Sequence, residues 1–201
     1  MEPINIPHDL DDEIDMIQRD DLRELIVRCL AAAPAAFWTA SAATGTNRQP
    51  GYARAARGII RHTRAVVRIT RHLLEDIGLN TDDHEWQVTI AAAILHDICL
   101  RDDNSRSSRP DHPLRGADLI ETIGRGMVRD QAIKTSTVRV VSSLVACHMG
   151  RHQGLRRHID LPRPLTRIER ILSQAVYLAS CRDIIVVNID DDPGRSTAPK
   201  Q

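Results

Sequence analysis

Apolar residues recur along the chain at spacings of three and four, which is the pattern of amphipathic α-helices. Turn-forming residues separate these runs, with Pro34 ending the first and Gly78 the second. The pattern predicts helices at residues 10–33, 52–77, 81–97, from 112 onward, 137–149 and 166–183, and a long loop at 37–51. Strand-like patterns are weak, and residues 184–189 are the only short candidate. We therefore expect an all-α fold.

Residues 52–77 divide into two faces when each residue is turned by about 100° from the one before. Six arginines form a stripe on one face: Arg54, Arg57, Arg61, Arg64, Arg68 and Arg71. We expect this arginine stripe to face solvent, and a nucleic-acid surface is the alternative. His62 falls among the apolar residues of the other face, so it should point into the protein. On this helix alone, a hydrogen-bonded core histidine is a simpler interpretation than a ligand.

The most continuous apolar segment is residues 90–98, which contains the adjacent pair His96 and Asp97 near its end. Such a segment belongs in the middle of a fold, where an unpaired carboxylate is costly to bury. A metal ion would remove that cost by taking the imidazole and the carboxylate as ligands. The alternative, which this segment leaves open, is an aspartate at a helix end bonded to backbone or to an arginine.

Composition excludes several classes of protein. The chain has 201 residues, 42% of them hydrophobic, and a formal net charge of zero, which favours a globular domain over a disordered or polyanion-coating chain. Its four cysteines are far apart and have neither zinc-binding nor disulfide spacing, so we expect reduced thiols. The first residues are acidic, and no apolar run is long enough to span a membrane. We expect a soluble cytoplasmic protein.

Two more histidines fall at helix ends or interior faces. His112 precedes Pro113 at the start of one predicted helix, and His148 shares a face with the apolar residues of another. Together with His62, His96 and Asp97 they form a set of imidazoles and a carboxylate that suits divalent transition ions. Five such groups could hold two ions, and pairs of ions roughly 3.5–4 Å apart are typical of phosphoester hydrolysis.

The order of these residues resembles the HD superfamily of metal-dependent phosphohydrolases, and the likeness covers residues 37–185. The matching segments are the first-histidine helix at 59–63, the His-Asp signature at 95–98, and the extra histidines of dinuclear branches at 111–117 and 147–150. Residues 37–43 and 58–63 further resemble phage and bacterial HD proteins, which are distantly similar to the 3′–5′ exoribonuclease branch.

The resemblance implies an all-helical HD domain at residues 51–187, with an N-terminal helical extension and loop at 1–50 and a flexible tail at 188–201. It implies hydrolysis of a phosphate ester or anhydride in a nucleotide or oligonucleotide, with one or two ions of manganese, iron or a similar transition metal. The implied metal ligands are His62, His96, Asp97, His112, His148 and Asp183. The implied catalytic residues are Asp97 and Arg101, and the implied substrate-binding residues are Arg151 and His152.

Three positions depart from the family's pattern. Gln49 stands where the subgroup often has a histidine, and Leu100 stands where a lysine often follows the signature. The alignment puts Val176 at the last aspartate ligand, and Asp183, two turns later on nearly the same helical face, is the candidate substitute. These departures motivate a second hypothesis, in which an HD scaffold binds a nucleotide or a protein partner without turnover.

Overall fold

The computed structural model describes residues 6–43, 49–103, 105, 107–150, 159–184 and 186. Across these residues it has eight α-helices and no strand, which confirms the all-α expectation. The helices are α1 (Asp11–Asp15), α2 (Asp20–Ala31), α3 (Ala35–Thr39), α4 (Gly58–Asp76), α5 (His84–Leu95), α6 (His112–Arg129), α7 (Thr135–Cys147) and α8 (Arg167–Ser180). Short 3-10 turns at His8–Leu10 and Gly51–Ala53 come before α1 and α4.

Helix α5 is the centre of the bundle. Every residue from Trp86 to Leu95 is buried, so nearly the whole helix lacks a solvent-facing side. Helices α2, α4, α7 and α8 pack around it. Burial of each large apolar side chain stabilises the fold by about 1.5–3 kcal/mol, which keeps this apolar segment in the interior. The carboxyl end of α5 therefore delivers His96 and Asp97 to a buried position.

The N-terminal segment contributes to the same core. Leu10, Leu25 and Phe37 are buried in one hydrophobic cluster with the residues of α5. The side-chain carbonyl of Gln87, on α5, accepts a hydrogen bond from the backbone amide of Gln18 at 3.0 Å. The extension therefore packs directly on the central helix, while the expected boundary at residue 50 stays a prediction.

The arginine stripe faces solvent only in part, because Arg57 is exposed and the other five arginines are half-buried. Arg64 is half-buried, donates to the carbonyl oxygen of Asp9 at 3.0 Å and lies 3.6 Å from the carboxylate of Glu13. Arg57 forms an ion pair with the side chain of Asp9. A guanidinium group has several donors in one plane and can bond carbonyl and carboxylate oxygens together. Arg57 and Arg64 therefore hold the N-terminal segment against the bundle.

Two helix boundaries differ from the expected ones for local reasons. Helix α4 begins at Gly58 rather than at residue 52, because Arg57 before it has a left-handed backbone with φ of 59°. A β carbon at Gly58 would lie 2.2 Å from the carbonyl oxygen of Ala53, so the turn needs glycine there. Helix α8 ends at Ser180, and Cys181 is extended with ψ of 124°.

Side chains satisfy the amino ends of two helices. At the start of α8, the hydroxyl of Thr166 accepts a hydrogen bond from the backbone amide of Glu169 at 3.3 Å. The carboxylate of Glu169 accepts one from the backbone amide of Thr166 at 2.9 Å, and the two bonds together form a capping box. The expected loop at 37–51 is partly helical, because α3 covers its first residues. The carboxylate of Asp103 accepts from the amide of Ala36 at 2.8 Å and satisfies that short helix.

The remaining expectations concern the carboxyl-terminal part of the chain and the membrane. The strand candidate at 184–189 has two described residues, neither of them in regular structure, and the tail at 188–201 lies outside the described residues. Among the helices described, none combines the length and the apolar character that crossing a membrane requires.

Candidate metal centre

Four helices bring five of the predicted metal ligands together. His62 lies on the buried face of α4. His96 and Asp97 follow the last residue of α5, His112 is the first residue of α6, and His148 follows the last residue of α7. None of the five is more than 6% exposed. A charge on any of them therefore needs a partner inside the protein.

Asp97 is the point at which the four imidazoles meet. Its Oδ1 atom lies 3.1 Å from Nε2 of His112 and 3.6 Å from Nε2 of His148. Its Oδ2 atom lies 3.4 Å from Nε2 of His96 and 3.8 Å from Nε2 of His62. The carboxylate thus divides the cluster into two groups that share it, one with His62 and His96 and one with His112 and His148. Each group is compact enough to hold one ion.

Backbone carbonyls fix the orientation of three of the imidazoles. Nδ1 of His96, His112 and His148 lies 2.8, 2.7 and 2.7 Å, respectively, from the carbonyl oxygen three residues earlier. A carbonyl oxygen only accepts hydrogen bonds, so each Nδ1 carries a proton and donates it. In a neutral imidazole this leaves a lone pair on Nε2, facing Asp97. Metal-binding histidines have the same second hydrogen bond, which orients the ring.

The nitrogen atoms of the cluster fit a bound cation. Nε2 of His112 and Nε2 of His148 are 3.2 Å apart, so the two neutral imidazoles would direct lone pairs at each other. Nε2 of His96 and Nδ1 of His62 are buried and lack a hydrogen-bond partner within the described chain. A divalent transition ion would accept the Nε2 lone pairs and balance the buried carboxylate. The donor set therefore suits such an ion.

Burial and the charge of Asp97 set the protonation of the cluster. Burial lowers the pKa of His62 and of His148 to about 4, although Asp97 acts in the opposite direction. Burial also opposes the charging of His96, but the negative charge of Asp97 prevails and raises the pKa of His96. Burial opposes ionisation of Asp97 too, yet the positive charge of His96 holds the pKa of Asp97 well below its usual range. Without an ion, the charge of Asp97 therefore favours the protonated form of His96.

Asp183 is not part of this cluster. It is exposed, lies beyond the end of α8, and belongs to neither of the two groups of possible ligands. Its predicted position on the face of Val176 required α8 to continue for another turn. Because the helix ends at Ser180, that helical geometry does not apply to Asp183. Val176 itself is buried in the hydrophobic core.

The predicted residues outside the metal set have different outcomes. Arg101 is 6% exposed, and its guanidinium donates to the carbonyl oxygen of Ala43. Burial lowers the pKa of Arg101 from its ordinary value. Arg101 therefore supports the segment before residue 44, and its catalytic role stays a prediction. Arg151 and His152 lie outside the described residues.

Sequence reasoning missed Arg109, which orients His112. The carbonyl oxygen of Arg109 accepts from Nδ1 of His112, while its guanidinium lies 2.5 Å from a carboxylate oxygen of Asp102 and 3.0 Å from one of Asp111. These two ion pairs hold the backbone immediately before α6. The mixture of arginine and aspartate in residues 101–111 was a visible signal of ion pairing. The carbonyl that orients the ring left no signal, since every residue has one.

An all-helical bundle with four buried histidines around one aspartate has the architecture of a helical metal-binding protein. The family model described as the HD domain matches residues 59–180, which is more than half of the chain. The chain belongs to the HD domain family, whose members are generally metal-dependent hydrolases, and the match includes all five residues of the cluster. Searches of curated proteins and of solved structures found no match. The narrower similarity to phage proteins and the exoribonuclease branch stays a prediction.

Proposed function

We propose that this protein is a metal-dependent phosphohydrolase that cleaves a phosphate ester or anhydride in a nucleotide or an oligonucleotide. One observation carries the proposal: four buried imidazoles direct Nε2 atoms at a single buried carboxylate, within 3.1–3.8 Å. Such an arrangement is costly to bury without a cation. Membership of the HD domain family supports the same chemistry.

The proposed site uses manganese, iron or a similar transition ion rather than magnesium, because imidazole nitrogens outnumber oxygen ligands. When bound, one or two such ions polarise a phosphate group and lower the pKa of water. The carboxylate of Asp97 offers one oxygen to each group, and the Nδ1 hydrogen bonds keep the rings of His112 and His148 in place. Arg101 and Arg151 are proposed to neutralise developing phosphate charge, and His152 to contact substrate.

The first experiment is metal analysis of the protein as purified. We expect one or two transition ions per chain, and hydrolysis on addition of Mn²⁺ across a panel of nucleotides, dinucleotides and short RNA. His112→Gln should lose the activity and the ion of its own group, so it should bind fewer ions than the unaltered chain. The matched control is His72→Gln, because His72 lies on α4 but its side chain is 63% exposed. Protein that contains no divalent metal and hydrolyses nothing in the panel with Mn²⁺ would contradict the proposal.

A second candidate function is an HD scaffold that binds a nucleotide or a protein partner without turnover. A specific observation favours it: Val176 is buried and apolar, and Asp183 is exposed beyond α8, so neither belongs to the two possible ligand groups. Replacing Val176 with aspartate separates the two functions. A large gain in metal content and activity supports the scaffold, whereas a loss means that the natural site is already complete. A cytoplasmic location belongs to both proposals.

A further inference from the structure

A groove lies along the middle of α8, outside the metal centre. Its volume is about 530 Å³. It is lined by the segment before the helix, residues 163–165, and by Arg170, Ser173, Gln174 and Tyr177 of the helix itself. None of the lining residues takes part in the proposed metal chemistry.

The groove is positively charged. Arg163 and Arg170 line it and are exposed, and the set of lining residues contains no carboxylate. The nearby acidic residue of α8, Glu169, accepts hydrogen bonds from the amides of Leu165 and Thr166, both at 2.9 Å. Its charge is therefore directed at the backbone of the capping box. A ligand in the groove meets two cations and no lining anion, which suits phosphate groups.

The same groove offers an aromatic face. Tyr177 is 45% exposed and Leu165 is 75% exposed, although large apolar side chains in this chain are otherwise mostly buried. A tyrosine ring beside arginines is the combination that binds single-stranded nucleic acid, since any base can stack on the ring while the arginines pair with the backbone. Tyrosine suits an exposed position of this kind because its ring is apolar and its hydroxyl is polar.

The groove borders the backbone that follows a histidine of the proposed metal centre. Gly150 lies two residues after His148 and has a left-handed backbone with φ of 52°. A β carbon on Gly150 would come within 2.2 Å of Oγ of Ser173 and 3.7 Å of Cγ of Pro164. Ser173 and Pro164 both line the groove. One contact therefore separates the backbone that follows a cluster histidine from the groove.

We propose that this groove binds one nucleotide of a single-stranded oligonucleotide whose neighbouring phosphate lies at the metal centre. The base stacks on Tyr177, and Arg163 and Arg170 pair with backbone phosphates. This inference rests on the proposed function and narrows its substrate to a strand of several nucleotides. Stacking and phosphate pairing serve RNA and DNA alike, so the two strands are separate arms of the test.

A second groove on the protein supplies a matched control. It lies between α6 and α7 and is lined by Arg125, Arg129 and Arg139, together with Glu121 and apolar residues. It has arginines, but it also has a carboxylate and no aromatic ring among its lining residues. If positive charge alone attracted the oligonucleotide, substitutions in the two grooves would have similar effects.

The test measures binding separately from hydrolysis. Fluorescence anisotropy of labelled single-stranded RNA and DNA octamers is recorded with the full chain as purified, and a gel confirms that each strand is intact afterwards. Tyr177→Ala should weaken binding at least about tenfold, whereas Tyr177→Phe should keep it, since stacking needs only the ring. Arg163→Ala with Arg170→Ala should reduce the slope of the salt dependence by about 0.7 for each phosphate that is no longer neutralised.

The control variant, Arg125→Ala with Arg129→Ala, should leave the affinity unchanged. Equal affinity of the unaltered chain and Tyr177→Ala overturns the inference, as does equal affinity for octamers and mononucleotides. The inference also fails if the unaltered chain does not bind octamers and is a dimer that Leu165→Asp converts to a monomer. That result would make this face a contact between two copies of the chain. Metal content is measured in parallel. If the protein binds metal but not the octamers, the inference about the groove fails and the proposed function stands. If it binds the octamers but no metal, the proposed function fails and oligonucleotide binding by the groove stands.

Discussion

Replacing Asp97 with asparagine removes the one charge that both groups of possible ligands share. Asparagine keeps the size and shape of the side chain, so the surrounding helices need not move. Loss of a hydrogen-bond partner behind a metal ligand typically reduces metal affinity by about 10- to 100-fold. Loss of a ligand shared by two groups should therefore reduce it by at least about 100-fold, or about 2.7 kcal/mol.

Thermal unfolding with and without Mn²⁺ measures this loss. At a concentration of 1,000 times Kd, an ion stabilises the native state by about 4.1 kcal/mol, and a Kd weakened 100-fold leaves about 1.4 kcal/mol at the same concentration. In a chain of 201 residues, each kcal/mol added to the free energy of unfolding raises Tm by about 2–4 °C. The shift caused by Mn²⁺ should therefore fall from about 8–16 °C to about 3–6 °C.

Two further variants make the result specific. His148→Gln removes a ligand from only one group, so the other group should keep its affinity, whereas Asp97→Asn should weaken the affinity of both groups. His72→Gln alters an exposed histidine of α4 and should behave as the unaltered chain does. If Asp97→Asn binds as many ions as the unaltered protein, with the same Tm shift, the cluster is not a metal centre. It would then be a buried network of shared protons.

Other predictions concern helix packing, capping and proton release. A β carbon at Gly124 would lie 2.4 Å from Cγ1 of Val138, so Gly124→Ala should destabilise the protein by about 1–3 kcal/mol in urea unfolding, and adding Val138→Ala should recover part of that loss. Gly126→Ala on the same helix meets no atom within 4 Å and should stabilise by about 0.4–1 kcal/mol; a loss there would contradict this account. Thr166→Ala removes the capping box of α8 and should cost about 0.5–2 kcal/mol in the same assay. The pKa of His96 is raised above its ordinary 6.5, so its charge stabilises the metal-free protein below that pH, and the stabilisation is lost as pH rises through the folded-state pKa. Ion binding at or below pH 6.5 should displace this proton, so the heat of binding in titration calorimetry should depend on the ionisation enthalpy of the buffer. A binding heat that is the same in all buffers would contradict this expectation.

The chain's own pattern determined the elements that depend on local rules. The inward face of His62 followed from helical periodicity, because a side chain among apolar neighbours on one face shares their burial. The interior position of residues 90–98 followed from their continuous apolar character. The capping box at Thr166 and Glu169 was equally visible, because its hydrogen bonds join residues only three apart. Membership of the cluster was predicted from residue type and order, by resemblance to a family.

Tertiary structure alone decided the rest. The distances between Asp97 and the imidazoles depend on how α4, α6 and α7 pack around the end of α5, and no spacing along the chain encodes them. The arginine stripe was expected to face solvent because periodicity reports which side of a helix is polar and not what contacts it. Here the N-terminal segment contacts Arg57 and Arg64 and buries part of the stripe. Asp183 was expected on the helical face of Val176, but α8 ends at Ser180. Where a helix ends depends on backbone hydrogen bonds and contacts that side-chain periodicity does not record. The periodicity of the sequence specifies which face of each helix is apolar, and the packing of the helices specifies which faces contact each other.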